Sequence, residues 1–182
     1  MSKYTIHTIE SAPEASKPLL EGAQKQLGFI PNLFGALAEA PVALEAYLAL
    51  SGFVEKTSFS AAETEVINLS VSATNGCHYC LAAHSTIANM KKVSADVIEA
   101  AGAGAPISDP KLEVLAKLTR SVVETRGWPE QAFLDSFFGQ GYTQANYLEL
   151  LVGVTMKTLS NYVNHQVNTP IDAAFGGASK AA

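Results

Sequence analysis

The sequence predicts an all-α fold, a bundle of about seven or eight helices in a single domain over residues 1–182. Helix-start residues recur along the chain, and the stretches between them are joined by short connections carrying Gly, Pro, Ser or Asn. The segment after the two cysteines, residues 81–90, has few strand formers and no proline.

Taken in order, residues 28–34 read as a non-helical apolar connection. Pro41 suits the first turn of a helix running to about Glu55. Ser60 with Glu63 three residues later has capping-box spacing and opens the next helix, which Asn75-Gly76 ends. Cys77 and Cys80 then fall in the first turn of a further helix. Ser94 can cap a helix from Ala95 to Ala101, closed by Gly102 and Gly104. Ser108-Asp109-Pro110 opens a long segment that Gly127 stops before Pro129, and Thr143 opens the last long helix, towards Asn161. The Ala/Gly-rich tail, 173–182, is expected to be loose.

Composition narrows the function classes. With 48% hydrophobic and 16% charged residues and a net charge of −5, the chain can bury a sizeable core. Its basic residues are scattered singly apart from Lys91-Lys92, which argues against nucleic acid as a partner. No apolar run reaches the roughly 18 residues of a membrane span, so we expect a soluble, cytoplasmic protein with no membrane partner.

The chemistry centres on Cys77-His78-Tyr79-Cys80, with His84 four residues on. Cysteines three residues apart on a helix have Cα atoms roughly 5 to 6 Å apart, within disulfide range, so a bridge can open and close with little backbone movement. So small a loop cannot staple a fold, and in a reducing compartment the spacing reads as redox chemistry or metal. Helix-start amides and the positive end of the macrodipole favour a thiolate there. If the helix before Asn75-Gly76 reverses into an antiparallel partner, Glu65 lies roughly 15 Å from the turn and His84 roughly 12 Å, at 1.5 Å per residue. Glu65 then faces His84, and His84 faces Cys80. Glu65, Asn68 and Ser72 share one stripe of an otherwise apolar helix, where a carboxylate is costly without a partner. The expected chemistry is attack by Cys80 on a peroxide oxygen, resolution of the sulfenic acid by Cys77, and a Glu65–His84 proton path. His78 and Tyr79 are candidates for the entrance or for helix-start packing, and Asn68 and Ser72 for support.

Glu65, the twelve-residue interval, the Cys77–Cys80 motif and His84 resemble the signature of the AhpD-like alkylhydroperoxidase family, within the carboxymuconolactone decarboxylase superfamily. The likeness is best over residues 57–101. The flanks, residues 28–34, Tyr162-Val163-Asn164-His165 and Thr169-Pro170-Ile171-Asp172, are similar to a longer, peroxidase-related subgroup. The resemblance implies an AhpD-like helical bundle, assembly into homo-trimers or hexamers, and peroxidase roles for Glu65, Cys77, Cys80 and His84. In that family the assisting histidine directly precedes the second cysteine, where this chain has Tyr79. No bound cofactor is expected beyond the redox-active Cys77–Cys80 disulfide. The expected partners are a hydroperoxide substrate and an external reductant, a thiol, a thioredoxin-like protein or a lipoyl group.

Two other readings stand beside this one. The dithiol could serve a protein or lipoyl partner, with peroxide reduction incidental. Alternatively the chain is a non-catalytic metal-binding or redox-sensing scaffold, although Cys77, Cys80 and His84 supply three ligands at most where structural zinc takes four. A twelve-residue echo is also visible: Glu149 precedes Asn161 as Glu65 precedes Cys77, and Asn161/Asn164 repeat the cysteine spacing. It is either coincidence or a helical repeat whose second copy is scaffold. His165 with these asparagines could supply polar groups to a neighbouring site, and a structural role is the expectation.

Overall fold

The computed structural model describes residues 4–176. Among them there are nine α-helices and no strand: α1 (Lys17–Leu27), α2 (Asn32–Leu37), α3 (Pro41–Val54), α4 (Ala61–Thr74), α5 (His78–Met90), α6 (Ala95–Ala103), α7 (Pro110–Glu124), α8 (Gln131–Gly139) and α9 (Gln144–Val167). Short 3-10 turns lie at Glu14–Ser16 and Ala173–Phe175. The all-α expectation holds.

The helix starts form where side chains satisfy the orphan amides. Ser60 accepts from the Glu63 amide while Glu63 reaches back to the Ser60 amide, completing the box at α4. Asp109 accepts from the amides of Lys111 and Leu112 at α7. Thr143 and Asn146 form the reciprocal pair at α9. Ser94 precedes α6 without a side-chain cap bond, and Gly104 closes that helix in the left-handed region.

α4 is the central helix. Residues 65–72 are all buried, the polar Glu65, Asn68, Ser70 and Ser72 included. It packs against α5, α6, α7 and α9. Gly153 lets α9 come close, since a Cβ there would stand 3.2 Å from the Ile67 side chain. One core fills the space among α4, α6, α7, α8 and α9, around Leu69, Leu115, Leu118 and Phe137. A second core joins α1, α2, α3, α5 and α9 and contains Cys77, Tyr79 and Cys80 with Leu44, Tyr47 and Met156. The thiols therefore lie inside the protein, between α9 and the α4–α5 hairpin.

Three expectations are corrected. Residues 28–34 are not wholly non-helical, because α2 begins at Asn32. Its first amide donates to the Asp172 carboxylate at 3.1 and 3.2 Å, a cap supplied from 140 positions away that no local pattern reveals. The tail is not loose from Ala173: Ala173–Phe175 make a 3-10 turn, and the Phe175 ring packs edge-on against Tyr79 and Phe29. Residues 177–182 of that expectation lie outside the described residues. Finally, α9 passes Asn161 without a break and ends at Asn168, in the left-handed conformation. The echo is thus not repeated in geometry, since Glu149 and Asn161 share one helix whereas Glu65 and Cys77 are separated by the Asn75-Gly76 turn.

Candidate active site

Gly76, at φ 66°, makes the reversal after α4 that an L side chain would strain. The Asn75 side chain ties this turn to α9 by donating to Asn161 at 3.0 Å. Cys77 follows as the N-cap of α5, its amide held by the Ser72 carbonyl, and Cys80 stands in the first turn. Both are free thiols, each 1% exposed.

Antiparallel pairing of α4 and α5 brings Glu65 to His84 as the spacing anticipates. His84 Nδ1 is 2.8 Å from one Glu65 oxygen, and Lys91 Nζ is 2.8 Å from the other. Burial pushes the Glu65 carboxyl up, but His84 and the Lys91 ammonium outweigh it and hold it at about 2. Glu65 is therefore a carboxylate.

The other imidazole nitrogen does not reach Cys80 directly. His84 Nε2 lies 2.8 Å from Nζ of Lys157, a lysine of α9 that is 1% exposed. An ammonium only donates. His84 Nε2 must therefore accept, which leaves the ring proton on Nδ1, donated to Glu65. Lys157 stands three residues before Ser160, which touches the Cys80 sulfur, and its positive charge favours the Cys80 thiolate. The expected line Glu65–His84–Cys80 is corrected to one in which Lys157 stands between imidazole and thiol.

α9 completes the surroundings of the thiols. Asn164 Nδ2 is 3.3 Å from Cys80 Sγ and 3.9 Å from Cys77 Sγ, and Ser160 Oγ is 3.7 Å from Cys80 Sγ. The two thiols are electrostatically unequal. The Cys77 hydrogen bond holds Cys80 well below the usual thiol range; burial opposes this, and the charge of Lys157 adds to it. The same bond, with burial, pushes Cys77 up. Of the two, Cys80 is the thiol poised to ionise and Cys77 the one that holds its proton.

The remaining candidates divide. Tyr79 packs at the helix start, buried against Phe175, and its hydroxyl does more: it donates to Asp172 at 2.6 Å and accepts from the Leu33 amide at 3.3 Å, fastening residues 170–172 over the start of α5. Asn68 reaches Glu65 only at 3.5 Å, and Ser72 turns back to the Asn68 carbonyl, so Ser72 gives the site no side-chain contact. His78 is exposed, and the exposed His165 ring lies against Tyr162. Asn161 and Asn164, expected as scaffold, face the turn and the thiols. Sequence reasoning missed Lys157, although its signal was available: a lysine in register with Gly153, Ser160, Asn161 and Asn164 along one helix stripe. Among the described residues no group of three or more His, Cys, Asp or Glu side chains could hold a metal ion.

Residues 41–121 match the carboxymuconolactone decarboxylase family. Comparison with curated proteins finds no match. Among solved structures the chain is similar to the alkylhydroperoxidase AhpD core of an uncharacterized peroxidase-related protein from Ralstonia eutropha, at 21% identity, 96% of this chain, 94% of that one and TM-score 0.84. It is similar to an uncharacterized peroxidase-related protein from a Silicibacter species, at 20% identity, 98% and 97% coverage and TM-score 0.81. It is also similar to the debrominase Bmp8, at 18% identity, 98% and 97% coverage and TM-score 0.82. At these identities the likeness shows the fold.

Proposed function

We propose that this chain, whose residues 41–121 belong to the carboxymuconolactone decarboxylase family and whose fold is that of AhpD-like peroxidase-related proteins, is a thiol-dependent peroxidase reducing hydroperoxides. The observation that carries the reading is the setting of the two buried thiols: Asn164 Nδ2 donates to Cys80 Sγ at 3.3 Å and Ser160 Oγ lies 3.7 Å from it, surroundings that favour a thiolate at Cys80 with Cys77 beside it as the protonated partner. A thiolate is the nucleophile, and a protonated neighbour one helical turn away is placed to resolve what it forms. Cys80 attacks the terminal peroxide oxygen and becomes a sulfenic acid. Cys77 displaces water from it, giving the Cys77–Cys80 disulfide. Glu65 fixes the tautomer and orientation of His84, which borders the proton path.

Burial favours small hydroperoxides over a bulky protein disulfide as the oxidant, because both sulfurs are 1% exposed. A thiol, thioredoxin-like or lipoyl reductant closing the cycle, and assembly into trimers or hexamers, belong to the same proposal. Light scattering reads the assembly.

Stopped-flow oxidation of the reduced protein by hydrogen peroxide, cumene hydroperoxide and, since a debrominase shares the fold, 2,3,4-tribromopyrrole tests the reading. Rapid loss of two hydrogens from the Cys77–Cys80 peptide with a peroxide is expected. Peroxide oxidation no faster than that of a free thiol would overturn it, and rapid oxidation by the bromopyrrole alone would assign reductive dehalogenation instead.

A further inference from the structure

We propose that Lys157 is the proton partner of Cys80: it balances the thiolate at rest and protonates the leaving oxygen when Cys80 attacks. The second half of the proposal rests on the peroxidase reading; the first does not.

Lys157 is the one lysine among the buried described residues, and a buried ammonium is strongly disfavoured without an anion. The groups facing it identify that anion. From α5, His84 offers a neutral nitrogen at 2.8 Å, which solvates the ammonium without neutralising it. From α4, Glu65 has committed one oxygen to His84 and the other to Lys91. From α3, burial pushes Tyr47 up, so its phenol stays neutral. Cys77, also facing Lys157, keeps its proton. Cys80 remains. Glu65 with Lys91 and Cys80 with Lys157 then make two neutral pairs, with His84 bridging them. Consistently, burial pushes Lys157 down but the Cys80 thiolate outweighs it and raises it.

The proton inventory closes on this pair. In the first step the Cys80 thiolate forms an S–O bond to the terminal oxygen, the O–O bond breaks, and the departing alkoxide or hydroxide takes a proton from Lys157. The products are Cys80 sulfenic acid, an alcohol or water, and a neutral Lys157 amine. In the second step the Cys77 sulfur displaces hydroxide from the sulfenic sulfur; that hydroxide takes the Cys77 proton and leaves as water. The disulfide carries no charge, and neither does the amine beside it. Reduction by two external thiols returns one proton to Cys77 and one to Lys157. A lysine suits this role because burial and a removable counter-ion can bring its proton within reach, whereas a guanidinium does not release one.

The test begins with ultraviolet thiolate absorbance of the reduced protein against pH, which requires no access to the buried sulfurs. Lys157→Met is expected to raise the Cys80 midpoint by about two pH units. Lys157→Arg is expected to keep a low midpoint yet slow the single-turnover burst with hydrogen peroxide. In Cys80→Ser, lysine-labelled NMR is expected to show Lys157 titrating about two units lower than in the reduced wild type. The last experiment decides the matter if Lys157→Met does not fold. A Met variant that titrates like the wild type, or a Lys157 signal indifferent to Cys80→Ser, overturns the ion pair. An Arg variant as fast as the wild type overturns proton donation. Wild-type Cys80 that is a thiolate but inert to peroxide overturns the peroxidase reading and with it the second half of the proposal, while the ion pair stands.

Discussion

The two walls that enclose Cys80 are built differently. The α4–α5 hairpin supplies Glu65, Cys77, Cys80 and His84 within 20 residues of sequence, fixed by one turn and helical spacing. α9 supplies Lys157, Ser160 and Asn164 from 73 to 84 positions away, and only tertiary packing brings them to the thiols. In the proposed cycle the first wall carries the atoms that change oxidation state, and the second carries the charge and hydrogen bonds that set how readily they do so. If this division is right, substitutions on the hairpin abolish chemistry and those on α9 retune it.

The largest effect is expected on the hairpin. Cys80→Ser reduces peroxide turnover to the uncatalysed background, whereas Cys77→Ser permits one turnover and then accumulates sulfinic acid, seen as two added oxygens by mass spectrometry. Retained turnover by Cys80→Ser would break the comparison outright, since the electrophile would then be attacked from elsewhere.

Glu65→Gln comes next, and its signature is pH dependence of stability. The carboxyl sits at about 2 in the folded protein against an ordinary 4.5, so the folded state binds fewer protons than the unfolded one between these values. Its stabilisation, about 3 kcal/mol, is complete above pH 4.5 and disappears as pH falls through 2. Urea unfolding should show the wild type more stable than the variant by about this amount at neutral pH. The gap should close in acid. Turnover should also fall several-fold to many-fold, because a glutamine no longer fixes the His84 tautomer.

On α9, Asn164→Ala removes the amide that donates to Cys80 Sγ at 3.3 Å. A hydrogen bond to a charged group contributes about 1.5–3 kcal/mol, so the thiolate midpoint should rise by about one to two pH units and the oxidation rate should drop without vanishing. Abolished turnover in a folded Asn164→Ala protein would show that α9 does more than retune.

The same contrast explains what could be read in advance. Spacing made the hairpin legible, because 1.5 Å per residue and a reversal at Asn75-Gly76 oblige Glu65 and His84 to meet. Ser60, Asp109 and Thr143 announced their helices through caps that act within three residues. The cap of α2 by Asp172 was illegible for the opposite reason, and the stripe holding Lys157 showed its face of α9 but not its role: each gains meaning only from a partner far along the chain. The packing of Tyr79 was legible but its hydroxyl's role was not, because the residue that fixes it, Asp172, lies 93 positions away.

The smallest effect separates fastening from chemistry and so sharpens the contrast. Tyr79→Phe keeps the ring that packs on Phe175 but deletes the hydroxyl joining Asp172 to the Leu33 amide. Asp172 retains the two bonds from the Asn32 amide, so the loss is expected to be only about 1–2 kcal/mol in thermal or urea unfolding. Hydrogen exchange should quicken at residues 168–176 and at the first turn of α2, the two segments this hydroxyl ties together. The Cys80 midpoint should stay where it is, because the groups that set it, Cys77 and Lys157, are untouched. If the midpoint moves with the fastening, residues 170–172 belong with α9 as a third wall of the site, and the division between reacting and tuning elements must include the chain end.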